Sequence, residues 1–448
     1  MKAKTLAALC SAIIMILSSA AADQCFQTPL IYSSVSAETQ IAADEIFLDN
    51  SNYSDILGLD EIPADFSIPE TVSYHGKEFT VTGIGCNAFS GVNNLRTLKI
   101  PPTVRIIQDN AFSECHSLES VEFSEGLTEL GSNVFYCCDS IEQIKLPESL
   151  KKIGDHPFKR CRSLISVEFP ERVDEIHSLF FSDCTELQYI KLPQGLTVLE
   201  TLCLSGLAKL ENIILPDGLE VIEHGAFIGC ESLKYLKLPD SVSEIGEGAF
   251  FNCTSLESIS IPEGVTDIHA QTFSRCISLS AAFLPSSLKN IGSQAFMKCT
   301  SLHSLILPEN LSEFGQAPFL MSGLEEVTVM NPELDNISGV LAGIDSLRTI
   351  CGGSSAARNF AESNGIAFIP EDSYLKGDAN CDSIVDLADV VLIMQASANP
   401  EKYGLNGSDK GHISAQGISN ADVAGNDGMT TYDALVIQKY KLGLIETL

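Results

Sequence analysis

Apolar side chains recur through the middle of the chain with a period of 23 residues. Phenylalanine occupies most of these anchor positions and leucine occupies one: Phe89, Phe112, Phe135, Phe158, Phe181, Leu204, Phe227, Phe250, Phe273, Phe296 and Phe319. A cysteine usually follows the anchor by three residues, a leucine or isoleucine by six, and further apolar residues by nine and eleven, before a proline. A fixed period of this length predicts a solenoid in which each copy is one structural unit.

The spacing within one unit predicts short strands and turns. In the run L-x-x-I-x-L-P the last two apolar side chains alternate, so they point to one face of a strand. The proline ends that strand because it has no N–H to donate to a central ladder, and a glycine or serine then turns the chain. One unit cannot bury its apolar face alone, whereas stacked units build a continuous core. We therefore predict an α/β chain dominated by strands, with about eleven repeats and little regular helix.

The sequences on either side of the repeats differ from the unit. Residues 23–83 include FSIPETVSYHGKEFTVTG, which predicts a hairpin over the first repeat, and SSAARNFAESNGIAFIP predicts one helix and a closing strand. Such caps are expected because terminal repeats must shield the open ends of the core. We place an N-terminal cap at 23–83, the solenoid with its C-terminal cap at 84–370, and a separate module at 371–448.

The first 22 residues resemble a secretory signal peptide. Lys2 and Lys4 precede an apolar stretch from Leu6 to Leu17, and three alanines at 20–22 offer a cleavage site. The apolar stretch is short for a bilayer, so we expect a secreted, extracellular chain with no membrane insertion. The chain also carries 59 acidic and 27 basic side chains, a formal charge of -32, which disfavours nucleic acid as a partner.

Fifteen cysteines would ordinarily suggest disulfides in a secreted protein. Most of them, however, occupy one position of the repeat, where a thiol behaves as a small buried apolar side chain. The series lacks the paired C-x-x-C spacing and the histidines of a zinc site. We expect a ladder of reduced thiols, and a disulfide between Cys25 and Cys86 is the one pairing that the sequence leaves open.

Side chains eight and ten residues after each anchor are predicted to point away from the core. Alternating charges follow the first anchors and suit cross-strand pairing on a solvated face; they are Lys99, Glu122, Lys145, Glu168 and Lys191. The later repeats instead carry an apolar strip made of Tyr189, Ile214, Tyr235, Phe283 and Ile306. Exposed apolar strips often mark binding sites, so this strip is a possible ligand face, with ordinary surface variation as the alternative.

The repeats resemble the BspA-like class of bacterial leucine-rich repeats, whose hallmark is the unit A-F-x-x-C-x-x-L. The resemblance covers about Phe66 to Pro370. Better-known leucine-rich repeats carry an asparagine ladder where this chain has glycine or serine, at Gly195, Gly218, Ser241 and Gly264. The resemblance implies a binding or adhesion protein, with a ligand that varies widely between members.

Beyond Pro370 the period stops and two acidic loops appear, DANCDSIVDLAD and DVAGNDGMTTYD. Each loop has the ligand spacing of an EF-hand and leads directly into an apolar helical pattern. The oxygen donors of the first loop are Asp378, Asn380, Asp382, Asp386 and Asp389, with the backbone carbonyl of Ile384. Those of the second loop are Asp422, Asn426, Thr430 and Asp433, with the backbone carbonyl of Gly428. We therefore predict two Ca²⁺ sites.

Both loops depart from the usual ligand pattern. Ser383 and Asp427 stand where glycine normally turns the chain, and Ala424 stands at a usual ligand position. The second loop thus offers fewer side-chain oxygens, and we expect it to bind Ca²⁺ more weakly than the first.

The paired loop–helix units, about Leu375 to Leu448, resemble a dockerin, the module that attaches proteins to the cohesins of a cellulosome scaffoldin. The resemblance implies calcium-dependent cohesin binding. The family's recognition positions, ten and eleven of each loop, correspond to Leu387, Ala388, Thr431 and Tyr432. The two halves differ at these positions, so we expect docking in one orientation only. The sequence leaves open which half docks, although Tyr432 is the better anchor because aromatic residues are enriched among hot spots.

Catalytic signatures such as G-x-S-x-G, H-E-x-x-H or a P-loop are absent from the sequence, and no single repeat position is common to the eight histidines. The favoured hypothesis is a non-catalytic, cellulosome-associated protein that docks onto a scaffoldin cohesin while its solenoid binds an unknown protein or polysaccharide ligand. The alternatives are an adhesion protein for cells or substrate, and a polysaccharide-degrading accessory enzyme with an unrecognised site.

Overall fold

The computed structural model describes residues 45–48, 57, 61–173, 175–341, 343–370, 377, 379, 385, 387–404, 413–423 and 429–441. The chain divides into two compact units, Met1–Ala42 and Ala43–Leu448, and all described residues belong to the second. The expected signal peptide, 1–22, therefore lies outside the described residues. The described chain forms a strand-dominated solenoid of about 12 turns, followed by a small helical module.

Most repeats contribute two strands, each paired in parallel with the same strand of the neighbouring repeat. The longer strands form the outward-facing sheets: β2 (Asp65–Ser67), β5 (Thr97–Ile100), β7 (Ser120–Phe123), β9 (Gln143–Lys145), β11 (Ser166–Glu168), β12 (Tyr189–Lys191), β16 (Ser258–Ser260), β18 (Ala281–Phe283), β20 (Ser304–Leu307), β22 (Glu326–Val329), β23 (Thr349–Gly352) and β24 (Ala367–Pro370). Within β11, Ser166 pairs with Gln143 on one side and Tyr189 on the other, an offset of 23 residues each way.

The second set of parallel strands consists mostly of residue pairs. It comprises β1 (Glu45–Leu48), β4 (Lys77–Ile84), β6 (Ile106–Ile107), β8 (Glu129–Leu130), β10 (Lys152–Ile153), β13 (Val198–Leu199), β14 (Val221–Ile222), β15 (Glu244–Ile245), β17 (Asp267–Ile268), β19 (Asn290–Ile291) and β21 (Glu313–Phe314). In most strands of both sets the apolar side chain is buried and its neighbours are more exposed, as in β9 and β10 and as the alternating pattern predicts.

The anchor segment forms a third set of contacts between repeats, made by bent rather than extended backbone. Asn110 and Glu114 flank Phe112 with φ of 57° and 62°, in the left-handed region. The N–H groups of Asn110, Phe112 and Glu114 donate to carbonyl groups of the next repeat at 2.9, 3.0 and 2.7 Å. Most other repeats hold non-glycine residues at the same two positions in this conformation, although it costs such a residue about 1–2 kcal/mol. Bonding between repeats compensates for that cost.

The phenylalanine anchors stack along the core. Neighbouring rings are nearly parallel, with centroids 5.3 Å apart for Phe89 and Phe112 and 5.4 Å apart for Phe250 and Phe273. Leu204 is fully buried at the corresponding position of its own repeat. The predicted continuous apolar core is therefore confirmed, and it extends from Leu48 to Ala361.

The cysteine of each repeat is buried in this core, as predicted. Its thiol also donates a hydrogen bond to the carbonyl of the anchor one repeat earlier, for example from Cys115 to Phe89 at 3.2 Å and from Cys253 to Phe227 at 3.2 Å. The same bond is made by Cys138, Cys161, Cys184, Cys230, Cys276 and Cys299. Burial raises the pKa of Cys115, Cys184, Cys230 and Cys276 to about 12. Cys86 is exposed, while its proposed partner Cys25 lies outside the described residues.

Both predicted caps are present. In the N-terminal cap, β3 (Thr71–Tyr74) pairs antiparallel with β4 through a turn at His75 and Gly76, whose φ values are 51° and 76°. In the C-terminal cap, α1 (Ile337–Val340) and α2 (Ser355–Asn364) precede the closing strand β24. The side chain of Ser354 caps α2 by accepting from the N–H of Ala357.

The C-terminal module has a core of its own, separate from that of the solenoid. It contains α3 (Leu387–Ala398), α4 (Pro400–Tyr403), α5 (Ala415–Ala421) and α6 (Thr431–Lys441), and α3 packs against α6. A bilayer-spanning helix is not found in the described part of the chain, since every helix there is too short or too polar for the purpose. The domain boundaries 23–83, 84–370 and 371–448 stay predictions.

Replacing Cys253 with alanine should lower the free energy of unfolding by about 1–2 kcal/mol, because the variant loses a buried sulfur and its hydrogen bond to Phe227. Urea denaturation followed by circular dichroism measures this. The matched control is Cys86→Ala, whose exposed side chain should contribute less than about 0.5 kcal/mol. Equal effects from the two substitutions would contradict a structural role for the thiol ladder.

Alkaline pH should destabilise the solenoid through the same thiols. Thiols of the unfolded chain ionise near pH 9, whereas four of the buried ones ionise only near pH 12. The unfolded chain therefore binds fewer protons between these values, and stability that is complete below pH 9 is lost as the pH rises. A variant with Cys230, Cys253 and Cys276 changed to alanine should lose less stability over this interval than the wild type. A pH dependence identical to that of the wild type would be evidence against this cause.

Candidate functional sites

The second acidic loop is closed by a buried aspartate at the start of α6. One carboxylate oxygen of Asp433 accepts from the N–H of Val423 at 2.9 Å. The other accepts from the N–H and hydroxyl groups of Thr430 at 2.7 and 2.8 Å. Asp433 thus joins the beginning and the end of the loop, the positions where its predicted ligands Asp422 and Thr430 lie. Asp389 is likewise fully buried in the first turn of α3.

The chemistry of these side chains suits a hard cation. The described candidates Asp389, Asp422, Thr430 and Asp433 offer only oxygen, which Ca²⁺ prefers over the nitrogen and sulfur ligands of softer metals. The carboxylates of Asp389 and Asp433 are fully buried, and a buried carboxylate is stable only when hydrogen bonds or a cation replace its lost hydration. Within the part of the chain that the structure describes, no group of three or more His, Cys, Asp or Glu side chains converges. The remaining candidates, Asp378, Asn380, Asp382, Ile384, Asp386, Asn426 and Gly428, lie outside the described residues.

A stripe of exposed apolar side chains runs along α3. It consists of Leu387, Val391 and Met394, which are 59%, 51% and 54% exposed and which follow the i, i+4, i+7 spacing of one helix face. The neighbouring helix positions Val390 and Ile393 are buried in the core of the module. We call these three residues the α3 stripe. The resemblance to dockerins points to Leu387 and to the adjacent, exposed Ala388, but not to Val391 or Met394.

The sequence LADVVLIMQASA does indicate exposed apolar residues such as Val391 and Met394. A helix of this sequence carries apolar side chains on more sides than a single packed face requires. The corresponding helix α6 differs. Its exposed apolar residues Leu435 and Tyr440 are five positions apart and do not share a face. Thr431 and Tyr432 form the start of α6, but their side chains lie outside the described part of the structure.

The apolar strip of the solenoid is largely exposed on the outward face. Tyr189, Ile214, Tyr235 and Phe283 are 48%, 80%, 57% and 47% exposed. Ile306 is half-buried, which corrects its assignment to an exposed strip: it lies on β20, the strand that α5 of the module contacts. The hydroxyl group of Tyr235 donates to Glu257 at 2.7 Å, which holds this ring to the next repeat.

The charged rows at the start of the solenoid pair across strands, as the alternation of sign predicts. Lys99 lies 2.8 Å from Glu122, and Lys145 lies 3.8 Å from Glu168. Lys191 instead pairs with Glu171, which follows the end of β11, at 3.1 Å. These pairs are exposed, so each contributes little to stability. Their effect is to neutralise this part of the outward face.

One Ser–His–Glu group occurs within the repeats, but its geometry differs from that of a catalytic triad. Glu200 lies 3.2 Å from the imidazole of His177 and accepts from the hydroxyl of Ser178 at 3.0 Å. The carboxylate therefore stands between the other two groups, whereas activation of a serine requires the imidazole to accept the hydroxyl proton. We assign this group a structural role, because Glu200 also accepts from the backbone N–H of Ser178.

Comparison with known proteins identifies both parts of the chain. The family model for the BspA type leucine rich repeat region matches six copies, at residues 82–208, 158–238 and 220–339. A crystal structure of a leucine-rich repeat protein from Bacteroides ovatus superposes with a TM-score of 0.50 at 25% identity, covering 69% of this chain and 92% of that protein. The fold predicted from the sequence is therefore confirmed.

The C-terminal segment matches different proteins. It is 51% identical over 73 residues to a xylanase/beta-glucanase from Ruminococcus flavefaciens, and the match covers 16% of this chain and 9% of that enzyme. This chain thus spans only about a tenth of its curated relative. A crystal structure of the third ScaB cohesin of R. flavefaciens in complex with a group 1 dockerin matches at 59% identity, covering 16% of this chain and 95% of the matched chain, with a TM-score of 0.16.

Proposed function

The chain belongs to the BspA-type leucine-rich-repeat family, and on that premise we propose that it is a secreted, non-catalytic component of a cellulosome. Its C-terminal module docks onto a scaffoldin cohesin, and its solenoid presents a ligand to the assembly. The observation that carries the proposal is the α3 stripe, three apolar side chains left in water on a helix that follows an acidic loop.

The distribution of the module among proteins supports an attachment role. The segment shared with the xylanase/beta-glucanase is 73 residues and 9% of that enzyme, so the two chains share the module while most of their length is unmatched. A module found on such different chains supplies a property that both need. Attachment to a common partner is such a property, whereas catalysis would require a shared catalytic body.

The α3 stripe has the form of a helix face that enters a groove on a partner. Apolar anchors at i, i+4 and i+7 are the pattern read in helix-in-groove recognition. Among the α6 side chains that the structure describes, the exposed apolar residues Leu435 and Tyr440 do not align, and the last turn carries Lys439 and Lys441. We therefore assign docking to α3, while the sequence-based preference for Tyr432 stays a prediction, because its side chain lies outside the described residues.

Calcium would act by holding each loop against the helix that follows it. Asp433 already joins Val423 to Thr430, so a cation bound by its carboxylate would fix the start of α6. In the first half, Asp389 lies two residues after Leu387, the first residue of the α3 stripe. Bound Ca²⁺ would place a positive charge beside these buried carboxylates, and its binding energy would contribute to folding of the module.

Substitutions in the α3 stripe should abolish docking. Val391→Asp or Met394→Asp places a charge in the proposed interface and should weaken binding to the R. flavefaciens ScaB cohesin by about 100-fold, measured by calorimetry in the presence of calcium. The matched control is Leu435→Asp on α6, which should change the affinity less than about threefold. If the control loses as much affinity as the α3 variants, α3 is not the docking helix, and unchanged affinity in all variants would refute the stripe as the interface.

Removal of calcium should unfold the module and spare the solenoid, because the two have separate cores. Limited proteolysis in a chelator should leave a resistant fragment that ends near 371–374, detected by mass spectrometry. Asp433→Asn should show the same cleavage at calcium concentrations that protect the wild type, since it removes the charge that joins the loop. Uniform degradation of the whole chain, or a resistance of the module to proteolysis that does not depend on calcium, would contradict this prediction.

A further inference from the structure

Aromatic side chains occupy the outward face at every second repeat in the middle of the solenoid. Tyr189 and Tyr235 hold the same repeat position, 46 residues and two repeats apart. Phe283 follows two repeats later, two residues further along its own strand, and Ile214 fills the repeat between the two tyrosines. All four side chains are exposed. We call Tyr189, Tyr235 and Phe283 the aromatic platform.

The period of the platform follows from the spacing of the repeats. Neighbouring strands of a sheet are about 4.8 Å apart, so rings on every second repeat are about 10 Å apart. The core gives a similar step, since stacked anchors in this region are 5.2 to 5.4 Å apart. A β-1,4-linked glycan extended as a two-fold ribbon turns each sugar over relative to the last. It therefore presents the same ring face at every second sugar, at a repeat of the same order, about 10 Å.

The charge of the face agrees with a neutral ligand. The chain as a whole carries a formal charge of -32, yet the outward positions of the repeats from Tyr189 to Phe283 include no acidic side chain and two basic ones, Lys191 and Lys237. Their other members are Tyr189, Asn212, Ile214, Tyr235, Ser258, Ser260, Ala281 and Phe283. Neutral sugars meet no repulsion here, whereas a polyanionic glycan would approach against the field of the chain. Hydroxyl, amide and aromatic groups are also the groups that bind sugars by hydrogen bonding and stacking.

One ring of the platform is held before any ligand arrives. Tyr235 donates its hydroxyl proton to Glu257 of the next repeat at 2.7 Å, so its ring loses less freedom on binding than an untethered side chain would. Tyr235 itself forms an isolated parallel bridge with Ser258 of β16, which fixes its backbone. A ring fixed in this way offers a preformed surface for stacking.

We propose that the aromatic platform binds a neutral, unbranched β-1,4-linked glycan that runs across the strands, with every second sugar against an aromatic ring. This inference deepens the proposed function by naming the ligand class of the solenoid, and it is independent of cohesin docking. Tyr189 and Phe283 lie four repeats apart, about 20 Å, so the full platform spans about five sugars.

Calorimetry of the full-length protein with purified oligosaccharides tests the proposal. Affinity for the β-1,4-linked series from cellobiose to cellohexaose should rise with chain length and level off near five sugars. Laminarihexaose, which is β-1,3-linked and follows a different path, should bind at least about tenfold more weakly than cellohexaose. Equal affinity for both linkages, or no binding of cellohexaose and its mannose counterpart mannohexaose, would overturn the proposal.

Substitutions separate the platform from the rest of the surface. Tyr189→Ala and Tyr235→Ala should each lower the affinity for cellohexaose by about tenfold, whereas Tyr235→Phe keeps the ring and should lose less than about threefold. The matched control is Ile277→Ala, an exposed apolar residue of a turn outside the outward strands, which should leave the affinity unchanged. Equal losses in the control and the platform variants would contradict the proposal.

The same preparations are assayed for cohesin binding, and circular dichroism verifies that the solenoid of each variant is folded. Glycan binding that persists when docking fails would refute the proposed docking function and support the platform. Docking without glycan binding would refute the platform alone. Capture of a protein ligand by the platform, abolished by Tyr235→Ala in the absence of any glycan affinity, would likewise overturn the glycan proposal.

Discussion

The constant offset between neighbouring repeats is the constraint on which the solenoid depends. Ser166 pairs with residues 23 positions away on both sides, and backbone, thiol and ring contacts repeat with the same period. The polar backbone groups of one repeat form hydrogen bonds largely with the next repeat. A change in the offset between two repeats therefore has to be accommodated at the place where it occurs. The offset shortens to 22 between Ser304 and Glu326, and there the regular pattern gives way to the helices of the C-terminal cap.

This constraint separates the positions that hold the fold from those that can bind. Inward positions, the anchor segment and the thiols all make contacts between repeats, so their chemistry is fixed by stacking. Outward positions are free of that requirement and differ along the solenoid, with ion pairs such as Lys99 and Glu122 at one end and exposed rings such as Tyr235 further along. The module has a separate core, so the proposed docking through α3 and the proposed ligand binding by the strands would not compete for the same residues.

The sequence predicts those features that depend on periodicity. The repeats, the hairpin at His75 and Gly76, the helix after Ser354 and the buried thiols all follow from spacing and turn residues. The left-handed residues could not be predicted, because positions such as Glu114 and Leu202 hold no glycine that would reveal them. Their backbone conformation is imposed by hydrogen bonds between repeats, which become visible only when the repeats are stacked.

The sites show the same division. Leu387 was identified by its place in the loop, while Val391 and Met394 required the structure to show which side of an apolar helix lacks a partner in the core. Ile306 fits the outward pattern as well as Phe283 does, yet it is half-buried because its strand is contacted by α5. Contacts between elements distant in sequence decide such cases, and no local pattern contains them.

The thiol ladder has a consequence for the surroundings in which such a chain can be made and used. Newly made chains expose a thiol in almost every repeat before the core closes over them, and an oxidising medium would link these groups in many wrong combinations. The native fold needs the opposite outcome, since each buried sulfur must keep its hydrogen to donate to a carbonyl. A solenoid built this way is therefore adapted to folding in surroundings that are poor in oxidants.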